Sequence, residues 1–221
     1  MQKTNYQKEL EKTLDTLSKE GIKPSLLLHV CCAPCSSYVL NYLKDYFDIT
    51  IDYYNPNIFP ETEFDYRLNE LIRFVDEFGL KEQVKILDKE YDPNVFFEMA
   101  KGLENVREGG ERCFKCYELR LRHAAVLASA NNFDYFTTTL SISPLKNAEK
   151  LNEIGKKLSD KYNVSYLYSD FKKKEGYKQS IELSKKFNLY RQNYCGCVYS
   201  KNSQNDDSCD KNHDTTKLKH E

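Results

Sequence analysis

The eight cysteines of this 221-residue chain fall into groups: Cys31, Cys32 and Cys35; Cys113 and Cys116; Cys195 and Cys197; and Cys209 alone. The N-terminal stretch MQKTNYQKELEKTLDTL is charged and lacks a secretory signal's apolar centre, and no apolar run approaches a membrane span. A cytoplasmic location with no membrane partner is therefore expected. Structural disulfides are rare in that reducing compartment, so grouped cysteines there lean toward metal ligation or redox catalysis.

Cys113 and Cys116 stand at a loop-to-helix junction, where a C-x-x-C spacing puts both thiols on one face about one turn apart. Zinc, iron–sulfur clusters and dithiol redox centres all use this spacing. With Cys31 and Cys32 they offer four thiolates, enough for a tetrahedral zinc or a [4Fe–4S] cluster. A purely structural zinc is the plainer alternative. Against it, the two pairs are about eighty residues apart, and one of them sits where α/β proteins keep their active sites. Cys32-Ala33-Pro34-Cys35 by itself looks like the C-G-P-C of thioredoxin, a thiol–disulfide reading that leaves the remaining cysteines without a task. Cys195-Gly196-Cys197 has too short a spacing for easy chelation by both thiols. It can close a small, strained and reducible disulfide, or be two buried free thiols. Cys209 has no evident task.

The elements that must carry these groups can be read from periodicity. Leu10, Leu14 and Leu17 mark a helix over 5–20, stopped at Gly21. Leu26 to Val30 is an apolar run that breaks at the cysteines, a strand over roughly 25–30 feeding a helix from Pro34 to about Tyr46. Two adjacent cysteines on a strand point to opposite faces, so both serve one site only if the strand has already ended. Ile49–Tyr54 reads as a second strand, followed by the proline-rich Asn55–Pro60 and a helix over Glu61–Leu80. Val84–Leu87 is a third strand, and Asp92-Pro93 opens a helix to about Ala100. A charged loop over 104–112 leads into a helix from Cys113 to Asn131. Asp134–Leu140 and Val164–Tyr168 are strands four and five. A helix carrying Ala148, Leu151, Ile154 and Leu158 lies between them, and another follows at about 175–188. Alternating strands and helices call for an open, mainly parallel five-stranded Rossmann-like (HUP-like) α/β sheet with helices on both faces.

Lys and Arg number 33 against 34 Asp and Glu, so no global field draws the chain to nucleic acid, and any such contact must come from local patches. Residues 1–200 are read as one α/β catalytic domain. Residues 201–221 are polar without apolar pattern and read as a disordered tail.

Six segments, in order along the chain, resemble the epoxyqueuosine reductases of the QueH type: LLLHVCCAPCSS (26–37), YYNPNIFPETEFDYR (53–67), CFKCYELRLRHAA (113–125), TTTLSISPLKN (137–147), SDFKKKEGYKQS (169–180) and LYRQNYCGCVYS (189–200). The resemblance implies an oxidoreductase that converts the epoxide of epoxyqueuosine to the alkene of queuosine at the tRNA wobble position, the last step of queuosine biosynthesis. It implies a [4Fe–4S] cluster on Cys31, Cys32, Cys113 and Cys116, no cobalamin, and a redox-active disulfide of Cys195 and Cys197 served by an external electron donor. It also associates a second iron with the neighbourhood of Cys35, a position where some members carry Asp.

Opening an epoxide to an alkene takes two electrons and two protons. Asp170, at the end of strand five, is the expected proton donor and Tyr194 the second candidate; an N-cap of the following helix is the other reading of Asp170. His29 directly precedes the cysteine turn, and a packed residue or one supporting a ligand from behind is as good a reading of it as a part in the site. Tyr53, Asn55, Lys172, Arg191 and Tyr194 are expected on the substrate, with Tyr53, Tyr190 and Tyr194 able to stack on an unpaired base. Lys172–Lys174 and the set Arg107, Arg112, Lys115, Arg120 and Arg122 are candidates for phosphates, against the ordinary reading of solvated faces. A thiol–disulfide oxidoreductase and a zinc-stabilised α/β binding module are the alternatives.

Overall fold

The computed structural model describes residues 4–201. The expected tail, from residue 202 on, and Cys209 with it, lie outside the described residues. In chain order the elements are α1 (Tyr6–Glu20), β1 (Ser25–His29), α2 (Ala33–Leu43), β2 (Asp48–Asp52), α3 (Glu61–Glu77), β3 (Lys85–Ile86), α4 (Pro93–Ala100), α5 (Glu111–Ala130), β4 (Tyr135–Thr138), α6 (Ala148–Tyr162), β5 (Ser165–Tyr166) and α7 (Gly176–Lys186). The strands form one sheet in the order β3-β2-β1-β4-β5, and every pairing is parallel. The α/β expectation holds, with the sheet wholly rather than mainly parallel.

Period-two alternation along β1 builds the two faces. Leu26 and Leu28 point into a core with Leu10, Leu14, Val39, Leu40, Ile51, Leu71 and Phe74, contributed by α1, α2, α3 and β2. Leu27 points the other way, into a core with Leu121, Ala124, Ala128, Phe136, Leu151 and Leu158 from α5, β4 and α6. Burying both faces is what a parallel sheet requires. Gly155 lets α6 lie directly on β5, since a Cβ there would come within 2.4 Å of the Tyr166 ring.

Several boundaries differ from the sequence expectation. β3 and β5 shrink to two residues each because they are edge strands with one neighbour. Strand four stops at Thr138 instead of Leu140: the Thr138 hydroxyl accepts from Leu140 N at 3.1 Å and turns the chain into a 3-10 segment, Thr139–Ile142. α5 starts two residues early because Gly110 takes the N-cap position. Asp92 caps α4 as expected, its side chain accepting from Asn94 N at 3.0 Å with Pro93 in the first turn.

The order reverses between β1 and β4: the chain winds outward through β2 and β3 on one side, then returns to place β4 on the other. Their carboxyl ends open a crevice, the usual ligand position in open α/β sheets. The cysteine turn leaves β1 at this crevice, and the 139–147 segment leaves β4 beside it.

Candidate metal and redox centre

β1 ends at His29, and Cys32 is the extended N-cap of α2, with Pro34 in that helix's first turn. Because the strand has ended, Cys31 and Cys32 no longer point apart: their Sγ atoms are 3.8 Å from one another. With Cys35, one turn into α2, the three sulfurs all lie within 4.8 Å of each other. Two thiolates about 2.3 Å from one tetrahedral ion would themselves be about 3.8 Å apart, so the trio is spaced to bind metal. Hydrogen bonds from Cys31 and Cys35, together with Arg67, hold Cys32 well below the ordinary thiol range. The same contacts act in reverse on their donors. The bond to Cys32 pushes Cys31 up to about 11, and those to Cys31 and Cys32 raise Cys35.

His29 is fully buried under this turn. Its Nε2 must donate to Tyr54 O at 3.1 Å, so its Nδ1, 2.8 Å from Thr138 Oγ1, accepts. Burial drives its pKa down to about 3, which keeps it neutral. It joins β1, β4 and the Asn-Pro loop as a packed support.

The second pair arrives on α5. Gly109 N donates to Cys113 Sγ at 3.2 Å, and burial pushes Cys116 up to about 11. Cys113 and Cys116 do not join the trio's sulfurs within that 4.8 Å grouping. They line a small inner cavity of about 10 Å³ with Cys195, Cys197, Tyr117 and Lys146. The trio lines a larger outer cavity of about 190 Å³, walled by Arg67, Pro144–Lys146, Tyr177 and Arg191–Cys195. Cys195 and Arg120 face both cavities. The fold thus gathers all seven cysteines of the described residues, each a free thiol, at one crevice in two adjoining sets.

Arg120 is 1% exposed. Its Nη1 donates to Asn55 Oδ1 at 3.1 Å, while its Nε and Nη2 have no partner among the described residues. Burial alone would lower its pKa, yet Cys116, Cys195 and Cys31 hold it raised. A buried cation with two idle donors, surrounded by sulfur, requires an anion beside it. A metal–thiolate group carrying net negative charge meets that requirement, so the residues present fit such a group.

The Cys195-Gly196-Cys197 segment is clamped from outside. Arg67 donates through Nε to Glu63 at 2.7 Å and through Nη1 to Cys195 O at 3.4 Å, and lies 5.2 Å from the centre of the Tyr194 ring. Phe59 N donates to Gly196 O at 3.1 Å. Gly196 has φ +106°, and a Cβ there would stand 3.0 Å from both Arg67 Nη1 and Ile58 Cγ1, so the tight turn between the two thiols needs glycine. Burial pushes Cys197 up to about 12.

Other expected site residues divide clearly. Arg191 and Tyr194 line the outer cavity. Tyr53 is buried away from it, its hydroxyl donating to Phe64 O at 3.3 Å. Asn55 is buried beneath the site and acts on Arg120. Asp170 and Lys172 pair with each other and line neither cavity. Nor does Asp170 cap the next helix, whose N-cap is Glu175. Of the proposed phosphate-binding set, Arg112 and Arg120 are buried. Arg112 organises the 103–106 loop by donating to Leu103 O, Glu104 O and Val106 O. Lys115, Arg122 and Lys174 are exposed but engaged with Glu111, Glu118 and Glu11. Sequence reasoning passed over Arg67, Glu108, Lys146 and Ser200. Three of them sit inside motifs it had singled out, Arg67 in 53–67, Lys146 in 137–147 and Ser200 in 189–200.

The family model described as epoxyqueuosine reductase QueH matches residues 26–203. This chain belongs to the QueH family. A Staphylococcus epidermidis epoxyqueuosine reductase QueH is 45% identical over 203 residues, which are 90% of this chain and 85% of that protein. The Streptococcus pyogenes protein of the same name is 42% identical over 205 residues, 92% of this chain and 80% of its own length. The Thermotoga maritima QueH is 33% identical over 176 residues, covering 80% and 90%. All six segments quoted from the sequence lie inside the family match. No helix among the described residues is long and apolar enough to cross a membrane.

Proposed function

We propose that this chain is an epoxyqueuosine reductase: it removes the epoxide oxygen of epoxyqueuosine in tRNA as water and leaves the alkene of queuosine. The observation that carries this beyond family membership is the buried Arg120, surrounded by the sulfurs of Cys31, Cys116 and Cys195 at the crevice between β1 and β4.

In this reading Cys31, Cys32, Cys113 and Cys116 hold a [4Fe–4S] cluster, Cys35 serves an adjacent iron, and cobalamin takes no part. Bound there, the iron–sulfur group supplies electrons one at a time. Cys195 and Cys197 supply a two-electron store. Written through the pair, one epoxide and two thiols give one alkene, one water and one disulfide. Two C–O bonds break, one S–S bond forms, and both thiol protons end in water. An external donor returns the pair to the thiol state.

The remaining side chains bind and orient. The outer cavity, about 190 Å³, admits a modified base and its cyclopentane ring but no helix, so the wobble nucleotide must be turned out of the anticodon stack. Tyr177, Arg191 and Tyr194 offer planar faces to it. Burial raises Tyr194 above the ordinary phenol range, so it keeps a proton to give. With Asp170 tied to Lys172 outside the cavity, Tyr194 becomes the proton donor to the leaving oxygen.

The test is anaerobic purification followed by metal analysis and turnover. Brown protein holding iron and sulfide, converting epoxyqueuosine-tRNA to queuosine-tRNA under a supplied reductant, is the expected result. Colourless protein with a single zinc and no conversion would return the site to a structural metal module.

A further inference from the structure

The two thiols of the Cys195-Gly196-Cys197 turn have unlike surroundings. Cys195 lines both cavities, whereas Cys197 lines only the inner one. Lys146 Nζ stands 3.2 Å from Cys195 Sγ and 3.3 Å from Glu108 Oε1, and its side chain is 9% exposed. The ring of contacts closes behind them: Ser200 Oγ donates to Glu108 Oε2 at 2.9 Å and accepts from Cys195 N at 3.2 Å. Cys197 Sγ has no cation at that range among the described hydrogen bonds and ion pairs; it accepts from Ser200 N at 3.4 Å.

We propose that Lys146 gives the two cysteines different tasks, making Cys195 the reactive sulfur that faces the substrate and leaving Cys197 as the partner behind it. This rests on the redox reading of the pair given above. Burial alone would drive Lys146 toward the neutral amine, but Cys195, Tyr117 and Glu108 hold it above the ordinary lysine range. A nearby ammonium is what makes a thiol nucleophilic. Cys197 has no such ammonium beside it among the described hydrogen bonds and ion pairs, and its sulfur accepts from the Ser200 amide. The lysine–carboxylate contact has its own use. Glu108 keeps the ammonium in place when Cys195 is consumed in a disulfide, so the cation is ready when the pair is reduced again.

The experiment is site-resolved alkylation of anaerobic, metal-loaded protein with iodoacetamide at about pH 7, read by peptide mass mapping. In the native chain Cys195 should react about tenfold or more faster than Cys197. Lys146→Met should slow Cys195 by about tenfold or more and leave Cys197 unchanged, and Lys146→Arg, which keeps the charge, should recover most of the rate. Melting temperature and iron content check that the variants are folded and loaded. Should Lys146→Met not fold, Glu108→Gln takes its place: with the competing carboxylate gone, Cys195 should react at least as fast as in the native chain. Faster alkylation of Cys197 than Cys195 in the native chain, an unchanged Cys195 rate in Lys146→Met, or a slowed one in Glu108→Gln would overturn the assignment. The reaction needs no tRNA and no turnover. Failure of epoxide reduction with a reactive Cys195 rejects the redox reading, while turnover with an unreactive Cys195 rejects only the part given to Lys146.

Discussion

Asn55 joins the cysteine turn to the helix that carries the second cysteine pair. Its Nδ2 donates to Val30 O at 2.8 Å, and its Oδ1 accepts from Arg120 Nη1 at 3.1 Å, with both side chains buried. Each half of the amide satisfies one group that has no route to water. Without it, the guanidinium between the cysteine sets keeps its charge and loses its one hydrogen-bond partner among the described residues.

Asn55→Leu should therefore cost about 1–3 kcal/mol of stability, the cost of stranding buried polar groups. It should also reduce bound iron, because Arg120 is no longer held toward the sulfurs. Denaturant unfolding of the metal-free chain and iron per chain after reconstitution read the two effects separately. Loss of stability with full iron binding would mean that Asn55 supports the fold and not the site.

Gly196→Ala places a Cβ 3.0 Å from Arg67 Nη1 and Ile58 Cγ1 at a φ of +106°. We expect a modest loss of stability, about 1–3 kcal/mol for the forced backbone. The loss of turnover should be much larger, on the order of a hundredfold, because both thiols flank the displaced residue. Unfolding curves beside single-turnover rates test this. Activity falling only in proportion to the unfolded fraction would show that the position of the pair is not critical.

His123 should make stability depend on pH. Its Nδ1 lies 3.2 Å from Asp52 and its Nε2 3.1 Å from Glu90, and its ring stacks on Tyr54. Burial works against the imidazolium, but the two carboxylates outweigh it and raise the pKa above its ordinary 6.5. The folded chain then binds this proton more tightly than the unfolded chain. The contribution is complete below about pH 6.5 and disappears as pH climbs through the higher folded value. Urea midpoints measured from about pH 6 to about pH 9 should show the native chain more stable than His123→Asn at the acid end, with the gap narrowing upward. Parallel curves would mean that the carboxylates contribute nothing through this histidine.

How much of this could be read from the sequence depended on how local each signal was. Strand β1, the break at Cys31, Pro34 in the first turn of α2 and the Asp92-Pro93 helix start are written in consecutive residues, and they appear as expected. The division of the cysteines was harder. Spacing pairs Cys31 and Cys32 with Cys113 and Cys116, whereas the described sulfurs group Cys35 with Cys31 and Cys32 and place the α5 pair beside Cys195 and Cys197. Such grouping depends on how far α5 stands from β1, a packing distance that no short pattern encodes. The charged residues misled for the same reason. Arg112 and Arg120 look like surface cations in a run of charge, but α5 turns both inward, one to satisfy a loop's carbonyls and the other to face sulfur. Lys146 was hidden because its partners Glu108 and Cys195 lie 38 and 49 residues away.

The inner cavity, at about 10 Å³, has room for about one water molecule, and Cys195 is the one cysteine it shares with the outer space. Of the α5 thiols Cys116 is buried while Cys113 is partly exposed, and Cys195, with Lys146 and Arg120, stands between the inner compartment and the space a nucleotide enters. Damage by dissolved oxygen should therefore begin at the partly exposed Cys31, Cys35, Cys113 and Cys195, and reach the buried Cys32, Cys116 and Cys197 later.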